Sequence, residues 1–221
     1  MTSDGGFLIT GYTQLGAGLF DAVLVKTDSL GSLQWSKTYG DAQHNKAWPI
    51  DINVSGSVYI AGWSETAPNT APASAFIIKT NSNGDTIWTR KFGTTGKNYF
   101  RTLDATNDGG CIAVGETDNY GIGGFDILAV KLNSNGDTLW TRTFGSTGDD
   151  FGWSVKQTTD SGYVIVGNTG SFGYTYNFGD AIIIRLTSSG NIQWVKTIGD
   201  ASAITTLDGG RSVIQTQDGN I

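Results

Sequence analysis

One segment type occurs four times along the chain, and this repetition restricts the possible folds more than any other feature. Each copy ends an apolar run with a basic residue, makes a tight turn and continues into a strand with a central tryptophan. The copies are KTDSLGSLQWSKTYG, KTNSNGDTIWTRKFG, KLNSNGDTLWTRTFG and RLTSSGNIQWVKTIG. Intervals of 53, 52 and 54 residues separate their tryptophans, Trp35, Trp88, Trp140 and Trp194. A fixed period of this length predicts a propeller, a solenoid or another array.

Each repeat divides into four strand-like runs, which we name a to d. The runs are rich in Val, Ile, Thr, Trp and Tyr and are bounded by Gly, Asn and Asp, as strands are. Strand c is almost continuously apolar (AVLV, AFII, ILAV, AIII), which indicates a sheet covered on both faces. No stretch has the periodicity of a helix. The sequence therefore predicts an all-β protein.

The two ends of the chain are complementary in this registration. The chain begins at strand b, Phe7–Thr13, and ends with an extra strand a, Arg211–Thr216, which brings the total to sixteen strands. In a ring of radial four-stranded sheets the last strand would complete the first sheet, and closure would remove free edges. The sequence thus predicts a closed β-propeller of four four-stranded blades. Its single domain would comprise repeats at about 1–46 with 211–221, 47–97, 98–149 and 150–210.

A second architecture stays open. Residues 218–221, DGNI, duplicate the turn already supplied by residues 4–7, DGGF. Such an overlap is what a segment of a larger propeller or array would carry, and two chains forming one larger ring would also explain it. A closed ring should be a monomer, whereas an open segment should self-associate.

Composition limits the classes of partner. Charged residues make up 15% of the chain, the net charge is −6 and no cluster of Lys and Arg occurs, which disfavours nucleic acid. No apolar run approaches the roughly 20 residues that cross a bilayer, so membrane insertion is not expected. The first residues lack a signal peptide pattern. The single cysteine, Cys111, is predicted to be a buried, inert thiol, and the composition is typical of a bacterial secreted protein.

The registered pattern is T-x-D-G-G-x-x-x-x-G-x-T, then D-x-x-x-x-K, then S-x-G-x-x-x-W-x-x-x-x-G. The third repeat matches it from Thr106 to Gly145, whereas Ser55-Gly56-Ser57, Ser74 and Arg185 depart from it. Over essentially the whole chain this pattern resembles the secreted β-propeller repeats of surface and sorted proteins in Bacteroidota-like bacteria. The resemblance implies a propeller used for recognition or display and leaves the partner unspecified.

The G-x-x-x-W element is also similar to the tryptophan-docking repeat of quinoprotein propellers. The spacing from the acidic residue to the glycine is one residue short, and paired cysteines are absent, so a redox cofactor is not expected. The turns N-S-N-G-D at Asn81–Asp85 and Asn133–Asp137 carry oxygen atoms that suit Ca²⁺. Their spacing does not match the twelve-residue calcium loop, and tight turns explain the same residues. No cofactor is predicted, with Ca²⁺ as the alternative.

Strand c carries an acidic and a basic residue five positions apart in three repeats: Asp21 and Lys26, Asp126 and Lys131, Asp180 and Arg185. The two side chains lie on opposite sides and at opposite ends of one strand, so a direct pair is not expected. A repeated position indicates a structural role, such as bonding a loop or a neighbouring blade.

The variable connections lie on one face of the predicted sheets. The a–b and c–d turns are short and regular, whereas the b–c and d–a connections differ widely in length and composition. Variation confined to one face of a repetitive scaffold favours a binding surface there, with ordinary loop variation as the alternative.

Two sets of residues at that face are candidates for ligand binding. The first lies at the start of strand a and alternates Trp with Arg: Trp48, Arg101, Trp153 and Arg211. Trp could stack on a sugar ring and Arg could bind hydroxyls or a carboxylate, but packing between blades is the alternative. The second set follows the strand b glycine: Tyr12, Trp63, Glu116 and Asn168. Loop tyrosines would add aromatic surface: Tyr120, Tyr174 and Tyr176.

The sequence favours a non-enzymatic extracellular recognition module, secreted or on the cell surface, for a carbohydrate or an extracellular protein. His44 is the only histidine, so one chain cannot form a histidine-based triad. Acid pairs such as Asp149/Asp150 or Glu65/Glu116 could cleave glycosides, but their spacing does not single one out, and the Asp-box of sialidases is not matched. The alternatives are a display segment of a larger adhesin-like protein without its own ligand and a glycan-cleaving hydrolase.

Overall fold

The structure, a computed structural model, describes residues 2–16, 18–172, 179–199, 208–216 and 218–219. These residues form fifteen strands in four antiparallel sheets, in which strands adjacent in sequence are also neighbours. The first sheet contains β1 (Phe7–Leu15), β2 (Leu19–Thr27) and β3 (Leu33–Tyr39). The second contains β4 (His44–Ile52), β5 (Val58–Glu65), β6 (Ala73–Thr80) and β7 (Thr86–Phe92).

The third sheet contains β8 (Asn98–Ala105), β9 (Cys111–Thr117), β10 (Asp126–Leu132) and β11 (Thr138–Phe144). The fourth contains β12 (Asp150–Gln157), β13 (Tyr163–Thr169), β14 (Asp180–Leu186) and β15 (Ile192–Ile198). The all-β prediction is confirmed, and four repeated sheets are compatible with a propeller-like fold. Within the described ranges no helix is present, and so none that could cross a membrane.

The predicted sixteenth strand is not found. Arg211–Thr216 is described without a strand assignment, and the first sheet has three strands rather than four. The backbone N–H of Gly210 donates to the carbonyl of Gly167 at 3.1 Å, and that of Val213 donates to Ser154 Oγ at 3.2 Å. This segment therefore lies against the fourth sheet, and its predicted pairing with β1 is not seen among the described residues.

The contact of this last segment with the fourth sheet repeats one found between the third and fourth sheets. Gln157 of β12 accepts the backbone N–H of Asn107 at 2.8 Å, and Gln215 accepts that of Thr159 at 2.9 Å. Gln157 and Gln215 both lie four residues after a first-set candidate. Residues 208–216 thus lie against the fourth sheet in the same way as β12 lies against the third sheet.

The core consists of apolar layers between successive sheets. One layer joins the first and second sheets, one the second and third, and one the third and fourth. Strands β5, β9 and β10 are buried along their whole length, as continuous apolar runs predict for a sheet covered on both faces. Cys111 is fully buried and free, and burial raises the pKa of its thiol to about 12, which fits the predicted inert thiol.

The repeated tryptophans dock onto the glycine of the next sheet's c–d turn. Nε1 of Trp88 donates to the carbonyl of Ser134 at 3.1 Å, and Nε1 of Trp140 makes the same bond to Ser188 at 3.1 Å. The indole of Trp88 covers Gly136, where a Cβ atom would lie 2.9 Å from the ring. Because these glycines also have positive φ, both the turn and the docking require them.

In three sheets the basic residue of strand c bonds the Asp of the a–b turn of its own sheet. Lys26 pairs with Asp4 at 2.8 Å, Lys131 with Asp108 at 2.8 Å and Arg185 with Asp160 at 2.6 Å. The second repeat has serine in place of that Asp, and Lys79 there donates instead to Ser134 O of the third sheet at 2.9 Å.

The acidic partner in strand c has a different contact. Asp126 accepts the backbone N–H of Ile122 in the b–c loop at 2.8 Å. The predicted structural role, bonding a loop or a neighbouring blade, is confirmed for the basic residues and for Asp126.

Replacing Asp160 with asparagine should change how stability depends on pH. Hydrogen bonds from Thr158 and Gly162, and the Arg185 guanidinium, lower the pKa of Asp160 from 3.8 to about 2. A folded-state pKa below the unfolded value stabilises the fold above pH 3.8, and this contribution is lost as pH falls towards about 2. In urea unfolding at several pH values, the stability difference between wild type and Asp160→Asn should shrink across this window. A difference independent of pH would contradict the assignment.

Candidate functional site

Strand a has one extra residue at the same place in three sheets. In β8 and β12 the pairing register skips one residue, between Phe100 and Thr102 and between Gly152 and Ser154. In β4 it skips two residues between Ala47 and Ile50, opposite one residue of β5. The skipped positions contain three of the four first-set candidates: Trp48, Arg101 and Trp153. A bulge redirects a side chain and is frequent next to binding sites. These residues therefore leave the regular alternation of the strand.

The strand b glycine makes this bulge possible. A Cβ atom at Gly62 would lie 1.9 Å from the carbonyl oxygen of Lys46, and Gly115 and Gly167 are equally crowded by strand a. Only glycine permits this approach of the two backbones. The residue after each glycine, in the second candidate set, is thereby placed beside the bulge residue of the same sheet.

Arg101 lies at the centre of the resulting cluster. Its Nε donates to Oε1 of Glu116 at 2.8 Å, and its Nη2 bonds the same oxygen. Aromatic rings surround the guanidinium at 4.9 to 5.8 Å from the ring centroids, which are those of Trp48, Trp63, Tyr99 and Trp153. Guanidinium stacking on aromatic faces and pairing with a carboxylate both hold the side chain in one orientation.

Glu116 is buried, with 2% of its surface exposed, and its two carboxylate oxygens differ. Oε1 accepts both bonds from Arg101, whereas Oε2 is buried and has no hydrogen-bond partner among the described residues. Burial raises the pKa of Glu116, and the adjacent Arg101 opposes this shift. This acceptor is buried, so a ligand donor could reach it only after a neighbouring side chain has moved.

An open pocket of about 370 Å³ surrounds this pair at the face of the b–c and d–a connections. Its walls are mainly aromatic, and Trp48 and Tyr12 at its rim are 49% and 47% exposed. Trp48 packs edge-on against the buried Trp63 at 5.1 Å. The lining residues are Tyr12, Lys46, Trp48, Trp63, Asn69, Lys97, Tyr99, Arg101, Glu116, Phe125 and Phe151.

A second partly buried cation of the wall, Lys46, is also paired. Lys46 Nζ lies 2.9 Å from Oε1 of the fully buried Glu65, whose Oε2 accepts the backbone N–H of Asn69 at 3.0 Å. Both oxygens of Glu65 are therefore engaged. Lys46 and Glu65 hold the wall together, whereas Glu116 retains an acceptor.

Two further candidates form a second contact beside the pocket. Trp153 Nε1 donates to Asn168 Oδ1 at 2.7 Å, and Asn168 Nδ2 donates to the carbonyl of Asp208 at 2.7 Å. The exposed guanidinium of Arg211 stacks on Trp153 with a distance of 4.3 Å to the ring centroid. Trp153 and Arg211, which are consecutive members of the alternating first set, therefore stack on each other.

Comparison with known proteins gives a structure of similar fold and no information about a ligand. No protein-family model and no curated protein matches this chain. A solved structure of a protein of unknown function from Bacteroides caccae matches with a TM-score of 0.53 and 13% identity. The match covers 85% of this chain, which spans 59% of that neighbour. The likeness concerns the fold alone.

Five of the eleven sequence candidates line the pocket, namely Tyr12, Trp48, Trp63, Arg101 and Glu116. Tyr120 is exposed and does not line it, and Tyr174 and Tyr176 lie outside the described residues. Sequence reasoning missed Lys46, Tyr99 and Phe151. Each lies two residues before a bulge position, so the two-residue period of a strand could have identified all three.

The acidic groups considered for catalysis or metal binding have other partners. Asp150 is buried and accepts hydrogen bonds from Thr169 and Ser171, and Asp149 accepts the backbone N–H of Phe125 at 2.8 Å. In the N-S-N-G-D turn, Asn81 Oδ1 accepts two backbone N–H groups, each at 2.9 Å. In the part of the chain that the structure describes, no group of three or more His, Cys, Asp and Glu residues is arranged to hold a metal ion.

Proposed function

We propose that this chain is a non-enzymatic extracellular recognition module that binds carbohydrate in the aromatic pocket around Arg101 and Glu116. The observation that carries the proposal is the buried Oε2 atom of Glu116, which lacks a partner among the described residues. A buried acceptor without a partner costs about 1–3 kcal/mol, and a ligand hydroxyl donating to it would recover that free energy.

The pocket wall suits a ring that is apolar on one face and polar at its edge. The exposed face of Trp48 and the ring of Tyr12 can cover the C–H face of a sugar, because aromatic surface combines large apolar area with defined orientation. The Arg101 guanidinium is already oriented by Glu116, so its remaining N–H groups can bind ligand oxygens at little further cost in conformational freedom.

The same contacts make the hydrolase alternative less favourable. Glycoside cleavage requires two carboxyl groups in different protonation states facing the substrate. Here Glu65 is fully buried and both its oxygens are engaged, and Asp150 is bonded within its own sheet. A display segment without a ligand remains the second candidate function, because the comparisons identify no ligand for this fold.

The scaffold of this module is, in our proposal, a β-propeller, because the first three sheets each place the repeated tryptophan, Trp35, Trp88 or Trp140, on the turn glycine of the next sheet. Closure of the four sheets into one ring through Arg211–Thr216 stays a prediction. It requires the free edge of β1 to reach the segment that now lies beside β12. The mass of the chain in solution tests this prediction.

A thermal-shift panel of glycans and Ca²⁺, with a chelator control, should show stabilisation by one class of sugar. A ligand at a hundredfold excess over its dissociation constant stabilises by about 2.7 kcal/mol. Trp48→Ala and Glu116→Gln should each weaken this binding by at least about tenfold in titration calorimetry. The matched control is Tyr120→Ala, which removes an aromatic ring of equal exposure outside the pocket.

Two outcomes would overturn the proposal. A panel without any shift would favour the display function, and binding that survives both pocket variants would place the ligand elsewhere. Release of new reducing ends from a bound glycan would instead support the hydrolase.

A further inference from the structure

The junction between the third and fourth sheets brings two buried carboxyl groups together, whereas the equivalent places in the earlier junctions have a neutral partner. We propose that Asp126 and Asp150 hold one proton between them, and that this proton fixes the Phe125–Phe151 wall of the aromatic pocket. The wall is then tight at acidic pH and loosens as the proton is lost. The proposal concerns the protein's own wall and holds whatever the pocket binds.

The two carboxyl groups meet beside Gly145 in the d–a connection. A Cβ atom at Gly145 would lie 1.9 Å from Oδ1 of Asp126 and 2.6 Å from Oδ2 of Asp150. The two oxygens are therefore no further apart than the sum of these distances, 4.5 Å. Asp126 is 2% exposed and Asp150 is fully buried. Two negative charges this close and this shielded from water repel each other, which favours retention of a proton by one of them.

The earlier junctions avoid this repulsion at the same place. Between the first and second sheets the equivalent residues are Asp21 and Asn45. Between the second and third sheets they are Ser74 and Asn98. Each pair is 24 residues apart, as in the third junction. An asparagine amide can donate to a neighbouring oxygen and carries no charge, so these junctions show that a carboxyl pair is not a requirement of the fold.

The hydrogen bonds of the pair assign the proton to Asp126. Asp150 is held by three donors, which are the hydroxyls of Thr169 and Ser171 and the backbone N–H of Ser146 at 3.3 Å. Asp126 accepts one hydrogen bond among the described residues, from the backbone N–H of Ile122 to Oδ2 at 2.8 Å. Its Oδ1 faces Asp150. Burial and, less strongly, the charge of Asp150 raise the pKa of Asp126.

The other ionisable groups around the pair are acidic as well. Asp149 accepts the backbone N–H of Phe125 at 2.8 Å, and Asp180 lies in β14, on the far side of β13 from Asp150. Within the described ranges no Lys, Arg or His forms an ion pair with Asp126 or Asp150. Two carboxylates are also fewer ligands than a divalent cation takes. A proton is therefore the positive charge that fits this place.

Each member of the pair adjoins an aromatic residue of the pocket wall. Phe125 precedes Asp126, Phe151 follows Asp150, and the two rings lie 5.8 Å apart between centroids. The carbonyl of Phe125 accepts the backbone N–H of Asp150 at 2.6 Å. Repulsion between two ionised carboxylates separates the start of β10 from the start of β12 and strains both contacts. Loss of the proton thus acts on the pocket wall through the backbone.

Replacing Asp126 with asparagine removes the titration but keeps an acceptor for Ile122 and adds a donor towards Asp150. The folded-state pKa of Asp126 lies above the unfolded value of 3.8, so its contribution to stability is complete below pH 3.8 and is lost as pH rises through the folded value. In urea unfolding, the unfolding constant of wild type relative to Asp126→Asn should rise at least about tenfold between about pH 3.5 and pH 7. The matched control is Asp21→Asn, whose neighbour Asn45 is already neutral and which should show no such rise.

Two measurements on the wild-type chain report the switch without relying on a variant. Carbon-13 NMR of the aspartate carboxyls should show the pair titrating in two steps, one of them at least about one pH unit above 3.8. Hydrogen-exchange protection factors of the Ile122 and Asp150 amides should fall through that step. In Asp126→Asn the same protection factors should stay constant.

Three outcomes would overturn the proposal. Titration of both carboxyls at or below pH 3.8, or an equal pH dependence in the Asp21→Asn control, would remove the shared proton. Protection that does not change through the upper step would remove its effect on the wall. Stabilisation by Ca²⁺ at neutral pH that a chelator reverses and Asp126→Asn abolishes would assign the pair to a cation instead.

Discussion

Replacing Trp140 with alanine should lower the free energy of unfolding by about 3–5 kcal/mol, as large-to-small changes at a buried tryptophan do. The indole is 9% exposed, lies edge-on to Tyr163 at 5.7 Å and donates to Ser188 at 3.1 Å. Its removal would open a cavity between the third and fourth sheets and leave a turn carbonyl without its donor. Urea unfolding at fixed pH measures the change.

The chain supplies its own control for this prediction. Trp194→Ala makes the same chemical change at the equivalent position of the fourth sheet, where the ring is 38% exposed. Its cost should be less than half that of Trp140→Ala, because partly exposed sites lose less packing. Equal costs would show that the docking contact is not the source of stability.

Replacing Arg101 with methionine should also cost about 3–5 kcal/mol, because the change leaves the buried Glu116 carboxylate without its cation. Methionine preserves much of the apolar stem of arginine and removes the guanidinium. The loss should therefore arise from the stranded charge rather than from a cavity. Unfolding in urea at neutral pH measures it.

The double variant Arg101→Met with Glu116→Gln identifies the origin of that cost. If the unpaired carboxylate dominates, the double variant should be more stable than Arg101→Met alone, and the double-mutant cycle should give a coupling of more than about 1 kcal/mol. Without the cation, burial raises the pKa of Glu116 further, so the deficit of the single variant should diminish as pH falls. A deficit that is independent of pH, with additive effects, would refute this account.

Sequence alone predicted the strands because their signals are local. Continuous apolar runs gave β6, β10 and β14, and the turn residues bounded them. Registration also identified Trp63 and Glu116 as candidates, since each varies between unchanging neighbours, although both side chains are buried, at 5% and 2% exposure. The strand signals needed one repeat only, whereas registration required a comparison of the repeats.

The features that sequence missed depend on relations between strands or between sheets. The two hydrogen bonds from Arg101 to Glu116 Oε1 require the extra residue in β8, and no local pattern distinguishes that bulge from regular pairing. The predicted pairing of Arg211–Thr216 with β1 was not found, because the apolar pattern of a strand does not specify which sheet it joins. The bulge in β8 and the position of Arg211–Thr216 depend on how strands pair and assemble, which the strand propensity of the residues does not determine.

The extra residue in β4, β8 and β12 allows the pocket surface to change without a change in the sheets. The positions of Trp48, Arg101 and Trp153 lie outside the regular register of their strands, so the hydrogen bonds of the ladder do not constrain what occupies them. Exchanging residues among these three positions should alter ligand preference while the strand b glycines keep the backbone in place. Selection or protein engineering can therefore diversify the surface one repeat at a time, without redesigning the scaffold that carries it.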